Sequence, residues 1–160
     1  MTLYTTFNTP FCRMILVGTT DAVSGLHLDT GEGKRAFSID PAWIRNESAF
    51  GDAREQIEAY CSGRLKRFSL ALEVEGTEFQ QGVWSALQDI PFGEVRTYGE
   101  IAAAIGNEKA SRAVGMANSN NPLPLIIPCH RVIGADGSLT GFAHGLSIKR
   151  RLLEFERQDR

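Results

Sequence analysis

The chain has 160 residues, 42% of them hydrophobic, and a formal net charge of -2. Its length is near that of one domain, and its apolar content excludes a wholly disordered chain. No run approaches the roughly 18 apolar residues of a spanning helix, and residues 1–6 lack a basic segment leading into an apolar one, so neither a membrane helix nor a secretory signal is expected. Cys12, Cys61 and Cys129 are odd in number and scattered, which fits neither a disulfide framework nor a paired-cysteine metal site and points to a reducing, cytoplasmic setting.

Residues 2–7, 13–19 and 23–28, rich in Thr, Val, Ile, Leu and Phe and punctuated by Pro10, Gly18 and Gly25, read as strands. Ala49, Ala53, Ile57 and Tyr60 recur at helical spacing over residues 49–62, with Gly63 as a stop. Residues 66–75 read as one more short strand. The texture changes at Gly76. Thr77 and Gln80 form a capping box ahead of a helix whose apolar face is Phe79, Val83, Trp84, Leu87 and Ile90, and Pro91 ends it. Thr97 and Glu100 form a second box, opening a helix over 98–105 with Ile101, Ala102 and Ile105 inward and Gly106 as its stop. A further helix over 109–117 places Ala113, Val114 and Ala117 inside. Two short helices joined by a glycine-containing turn outline a helix-turn-helix. Ser147 is placed as the cap of a last helix with Ile148, Leu152 and Phe155 on its core side.

Between these helices Pro122, Pro124 and Pro128 remove three backbone donors and favour extended geometry before each of them. The apolar residues 125–127 need burial, so a stiff inner segment carries Cys129 and His130 to one defined place. A thiol becomes a strong nucleophile when a neighbouring base deprotonates it. On an extended chain the side chains of Cys129 and His130 point to opposite faces, so a bridging water is one way to connect them. Glu156, four residues after Leu152 on the core stripe, is the candidate to orient the imidazole. The alternative is a buried core thiol, a satisfied core histidine and a carboxylate at a fraying helix end.

Ile127-Pro128-Cys129-His130-Arg131-Val132 resembles the hallmark of the O6-alkylguanine-DNA alkyltransferases, also called methylated-DNA–protein-cysteine methyltransferases. Phe79-Gln80-Gln81-Gly82-Val83-Trp84, Gly93-Glu94-Val95, Tyr98-Gly99, Arg112-Ala113-Val114-Gly115, Asn121-Pro122 and Gly141-Phe142-Ala143 follow the family pattern in order and spacing. The resemblance covers about residues 77–157; residues 1–76 match its variable N-terminal domain only loosely. It implies an α/β N-terminal domain over 1–76, a small antiparallel sheet with a helix, and a mainly α C-terminal domain over 77–160 containing the helix-turn-helix. It also implies DNA repair by a single-turnover transfer. Cys129 would take the alkyl group from O6 of guanine, with O4 of thymine left open as a further target, and would keep it as a thioether. His130 would be the base, acting through a water and held by Glu156. Asn121 would fix the active-site segment, and Tyr98 would contact the leaving guanine and its 3′ phosphate. The target base must leave the duplex. Arg112 would fill the gap from a helix in the minor groove, where Ala110, Ser111 and Gly115 would meet DNA. Small residues suit so narrow a groove, and they suit tight helix packing as well. Residues 91–160 carry 9 Lys/Arg against 7 Asp/Glu while residues 1–90 carry 8 against 12; ordinary surface charge explains this more simply than a nucleic-acid footprint.

The implied partner is double-stranded DNA carrying O6-alkylguanine, met by a monomer with no cofactor and no membrane. Pro124, Phe142 and His144 would wall the alkyl pocket. Phe142 stands where the family often has Tyr, and His144 where it usually has Gly, so His144 is expected to narrow the pocket mouth against bulky alkyl groups. Cys12, Cys61 and His27 do not reproduce the zinc ligands of some eukaryotic members, and no metal is expected. Two other readings compete. A helix-turn-helix module or damage sensor would transfer nothing, and sensors of that kind replace the cysteine. A cysteine hydrolase would turn over repeatedly and needs an oxyanion hole.

Overall fold

The computed structural model describes residues 1–33 and 37–159. The chain opens with strands β1 (Leu3–Asn8), β2 (Arg13–Gly18) and β3 (Val23–Asp29), followed by the two-residue β4 (Ile44–Arg45) and helix α1 (Gly51–Cys61). In β1 the period-2 pattern turns Leu3, Thr5 and Phe7 inward, as a half-buried strand requires. In the central β2, residues 14–18 include a buried run from Met14 to Val17, so this strand is covered on both faces. The sheet order is β3-β2-β1-β4. The three long strands are antiparallel, but β4 lies parallel to β1 through Leu3–Ile44 and Tyr4–Arg45. The sheet is therefore mixed, a correction to the antiparallel expectation, because β4 returns by a crossover rather than a hairpin.

Residues 66–75 form no strand. Their contact with the sheet is a single bridge from Leu72 to Val23, with Val23 N–H donating to Ala71 and Glu73 N–H to Val23. Leu70, Leu72 and Val74 do alternate inward with exposed neighbours. The period-2 signal thus reports a chain laid along the core, not a hydrogen-bonded ladder.

Helices α2 (Glu78–Gln88), α3 (Tyr98–Ala104), α4 (Ser111–Ser119) and α5 (Leu146–Asp159) make the C-terminal part, with a two-stranded parallel pair β5 (Arg96–Thr97) and β6 (Val132–Ile133). Both capping boxes form: Thr77 with Gln80, and Thr97 with Glu100. After α3, Gly106 has φ +80°, and the bonds Gly106 N–H to Ala103 and Asn107 N–H to Ala102 close the helix. This is the left-handed glycine stop that the sequence announces. The turn then feeds α4, whose Val114 and Ala117 are buried and pack against α2 and α3. Ala113 is exposed beside Arg112 and Met116, so of the three residues expected inside, Ala113 lies on the outer face. Trp84 Nε1 donates to the Ala117 carbonyl at 2.9 Å and ties α2 to α4. The last helix starts one residue before Ser147, directly after Gly145 at φ +110°. No helix is long and apolar enough to cross a membrane among the described residues.

Candidate active site

The segment after α4 is built to hold its shape. Asn121 donates through Nδ2 to the Ile127 carbonyl at 2.8 Å and accepts from Leu123 N–H at 3.0 Å. Ile127 N–H returns to the Leu123 carbonyl at 2.8 Å. Pro124 lies inside this turn, and Leu125 follows at φ +75° although it is not a glycine. Such a left-handed residue costs about 1–3 kcal/mol and persists only where its surroundings hold it. Here burial of Leu123, Leu125 and Ile127 does so. Asn118 Nδ2 donates to the Cys129 carbonyl at 3.3 Å. Two amides at the end of α4 thus brace the segment on either side of Pro128.

Cys129 is not extended. Residues Cys129–Arg131 form one 3-10 turn, with Arg131 N–H bonded to the Pro128 carbonyl at 3.0 Å. The turn corrects the extended expectation, and it sends His130 and Arg131 to the same carboxylate. His130 Nε2 lies 2.7 Å from Glu156 Oε2. Arg131 donates through Nε to Oε1 at 2.8 Å and through Nη2 to Oε2 at 3.0 Å, while its Nη1 donates to the Ile90 carbonyl at 2.7 Å. His130 and Glu156 are fully buried, at 0% and 1% exposure.

Burial resists the charge on Glu156, but His130 and Arg131 outweigh it and hold the carboxyl well below the usual carboxylate range. Burial presses the His130 imidazole below its ordinary value against the pull of Glu156, and Arg131 and Lys149 add to the depression. The imidazole is therefore neutral near pH 7, donating from Nε2 to the carboxylate. Nδ1 meets no hydrogen-bonding group among the described residues and carries the basic lone pair. Cys12 and Cys61 lie elsewhere, half-buried, and burial raises both thiols to about 11. They are essentially uncharged at neutral pH.

A groove of about 480 Å³ is lined by Tyr98, Ser111, Arg112, Gly115, Ser119 and Gly141 among others, and Tyr98 on its wall is close enough to Cys129 to feel it. The structure thus brings together Tyr98, Ser111, Arg112 and Gly115, while Ala110 precedes them as the residue before α4. Tyr98 Oη donates to the Thr140 carbonyl at 2.8 Å, and Ser119 Oγ to the Gly141 carbonyl at 3.1 Å. These bonds hold the loop after β6 against α3 and α4. Gly141 has φ +70°, and a Cβ there would stand 2.7 Å from Tyr98 Oη, so only glycine lets the loop approach. Burial raises the Tyr98 phenol, with Thr140 opposing and Cys129 adding to the rise, so it remains a proton donor.

Pro124 and Phe142 are buried. His144 is also buried, and its ring lies 5.3 Å from His27 and 5.6 Å from Phe142. It lines a cleft with Val17, His27, Phe37 and Pro122, toward the N-terminal sheet. His27 itself stacks on Phe37 at 4.3 Å.

Three contributors escape the sequence reading. Lys149, fully buried, donates to the Val132 and Thr140 carbonyls at 2.6 and 2.8 Å, and burial brings its ammonium down to about 8 against the influence of Cys129. It shares the stripe of Leu152, Leu153 and Glu156 at helical spacing, a signal that could have found it. Arg131 adjoins Cys129 and His130, and a cation next to a buried candidate pair marks a partner for Glu156. Tyr60, 96 positions away from Glu156, gives no local signal.

The family description "6-O-methylguanine DNA methyltransferase, DNA binding domain" matches residues 78–158. The methylated-DNA–protein-cysteine methyltransferase of Methanosarcina acetivorans is 50% identical over 153 residues, covering 96% of this chain and 97% of that protein. A Mycobacterium tuberculosis protein of the same name is 45% identical over 156 residues, covering 96% and 92%. The crystal structure of M. tuberculosis OGT in complex with DNA superposes with a TM-score of 0.91 at 43% identity, covering 98% of this chain and 94% of that one. With the ordered motifs, the buried Cys-His-Glu arrangement and this agreement over nearly the whole length, the chain belongs to the 6-O-methylguanine DNA methyltransferase family.

Proposed function

We propose that the protein repairs double-stranded DNA by moving an alkyl group from O6 of guanine to Cys129, once per molecule and without a cofactor. The observation that carries this reading is the buried dyad beside Cys129: a neutral imidazole fixed by an ionised Glu156, its Nδ1 lone pair facing no protein donor. His130 takes the thiol proton on Nδ1 through a water. The sulfur then attacks the alkyl carbon in line; the S–C bond forms, the C–O6 bond breaks, and its electron pair stays on guanine. The base takes up a proton, helped by the Tyr98 phenol, and leaves restored. Positioning carries much of the rate in such a displacement, which is the task of Asn121, Asn118 and the prolines at 122, 124 and 128.

The DNA face is the outer side of α4. Arg112 is exposed and has no ion-pair partner among the described residues, which suits a side chain that replaces an extruded base. Ala110, Ser111, Ala113 and Gly115 leave α4 slender enough for a narrow groove. Pro124 and Phe142 wall the alkyl pocket, and His144 supports it from behind. Residues 1–76 serve as a buttress, and residues 77–160 carry DNA binding and transfer. The protein works as a monomer in the cytoplasm.

Intact mass after incubation with duplex DNA containing O6-methylguanine tests this. One added methyl group, mapped to Cys129, is expected, and Cys129→Ser should gain none while still binding the damaged duplex. A label on Cys12 or Cys61, or continued turnover, would overturn the assignment.

A further inference from the structure

Glu156 Oε2 accepts three donors: His130 Nε2 at 2.7 Å, Arg131 Nη2 at 3.0 Å, and Tyr60 Oη at 2.5 Å. Tyr60 comes from α1 in the N-terminal part and is completely buried. Its ring is boxed by Phe68, Phe92 and Phe155, with centroids 5.7, 5.9 and 5.5 Å away, so the hydroxyl has one place to point. Burial and Glu156 both hold the phenol well above its ordinary value, and it stays a donor throughout the working range.

We infer that Tyr60 is a positioning residue for the alkyl transfer: its hydrogen bond fixes Glu156 and draws charge from the oxygen that His130 uses, setting how basic the imidazole is. The physical ground is competition at one atom. Hydrogen bonds to a charged group are the strong ones, and each donor on Oε2 reduces what that oxygen offers the next. Losing the Tyr60 hydroxyl leaves Oε2 a better acceptor, which favours the imidazolium and raises the pH at which His130 charges. The other groups facing this pair are Arg131 on the 3-10 turn, Lys149 on α5 and Cys61 next to Tyr60; Lys66 lies over Phe92 at 5.4 Å on the outer side. Arg131 already donates to Oε2, and no hydrogen bond joins Lys149, Cys61 or Lys66 to it among the described residues. The N-terminal part thereby influences the chemistry through Glu156, although no candidate reacting group lies in it.

The inference rests on the function proposed above, and its test reads His130 without requiring any transfer. The chain has 3 histidines, so ¹⁵N resonances of His130 can be assigned and titrated. In Tyr60→Phe the His130 midpoint should rise by about 1 pH unit, the size of a modest differential hydrogen bond to a charge. The acid limb of the alkyl-transfer rate should move with it. Replacing Tyr60 by 3-fluorotyrosine, a stronger donor of nearly the same size, should move both the other way and guards against a misfolded phenylalanine variant. An unmoved midpoint in either folded variant, with activity lower at every pH, would assign Tyr60 to packing and overturn the proposal. If the midpoints shift and no alkyl group is ever transferred, the function has failed and the coupling stands.

Discussion

Replacing Glu156 by Gln keeps the side chain's shape and removes the charge against which Arg131 and His130 are buried. Breaking a buried ion pair from one side costs about 3–5 kcal/mol, and a drop of that size in chemical denaturation is expected for Glu156→Gln. Arg131→Lys should fall in the same direction, since one ammonium cannot reproduce the two-pronged contact with the carboxylate. Lys149 makes a pH-dependent prediction. Its folded value is about 8 against roughly 10.4 in an unfolded chain, so above pH 8 the folded state releases this proton first. The unfolded state then binds more protons, and stability from this residue rises with pH between about 8 and 10.4. Lys149→Met should abolish that rise in denaturation curves taken across the window; an unchanged slope would show the ammonium to be solvated. Glu156 was legible because a helical stripe four residues long sufficed to place it inside. Tyr60 was not, because its hydroxyl meets the carboxylate only after α1 and α5 have packed.

Among the elements, α4 joins the outer face proposed to meet DNA to the inner segment, and its two sides answer to different tests. Asn121→Ala removes both a donor to Ile127 and an acceptor for Leu123 N–H in a fully buried turn. Each orphaned group costs about 1–3 kcal/mol, and transfer from a free alkylated base should slow along with transfer from duplex. Arg112→Ala touches only the outer side. It should leave the free base reacting at the normal rate and slow the duplex reaction strongly, because unstacking a base costs a few kcal/mol and matters only where a stack exists. Equal losses on both substrates would place Arg112 in the pocket or the fold. The capping boxes and the glycine stop after α3 were readable because their signals lie within four residues of each other. The prolines correctly announced a rigid segment, yet they did not reveal the 3-10 turn at Cys129, which depends on closure by Arg131 N–H and on the carboxylate beyond it. Residues 66–75 misled for a related reason: alternate burial fixes which side chains face the core, and only a neighbouring strand can make a ladder of them.

At the scale of the whole molecule, the N-terminal part holds the site from several directions. Leu26 N–H donates to the Pro122 carbonyl at 2.9 Å, Thr30 Oγ1 to the His144 carbonyl at 2.6 Å, and Arg151 to the Pro10 and Phe11 carbonyls, both at 2.9 Å. His144 belongs to this seam. As a side chain at the pocket mouth it would select against bulky alkyl groups, and His144→Gly would speed the reaction with O6-benzylguanine. The structure turns its ring instead toward His27 and Phe142, under the loop. Removing the imidazole there leaves unfilled space against the sheet, and large-to-small changes in such places cost about 2–5 kcal/mol. Glycine adds roughly 0.5–1 kcal/mol of backbone freedom to a loop that must present Gly141 to Tyr98. We therefore expect His144→Gly to lower the denaturation midpoint and to slow inactivation by O6-benzylguanine and repair of O6-methylguanine by similar factors. The free-base rates, measured side by side at a temperature where both proteins are folded, decide the matter: a benzyl reaction made selectively faster would return His144 to the mouth of the pocket.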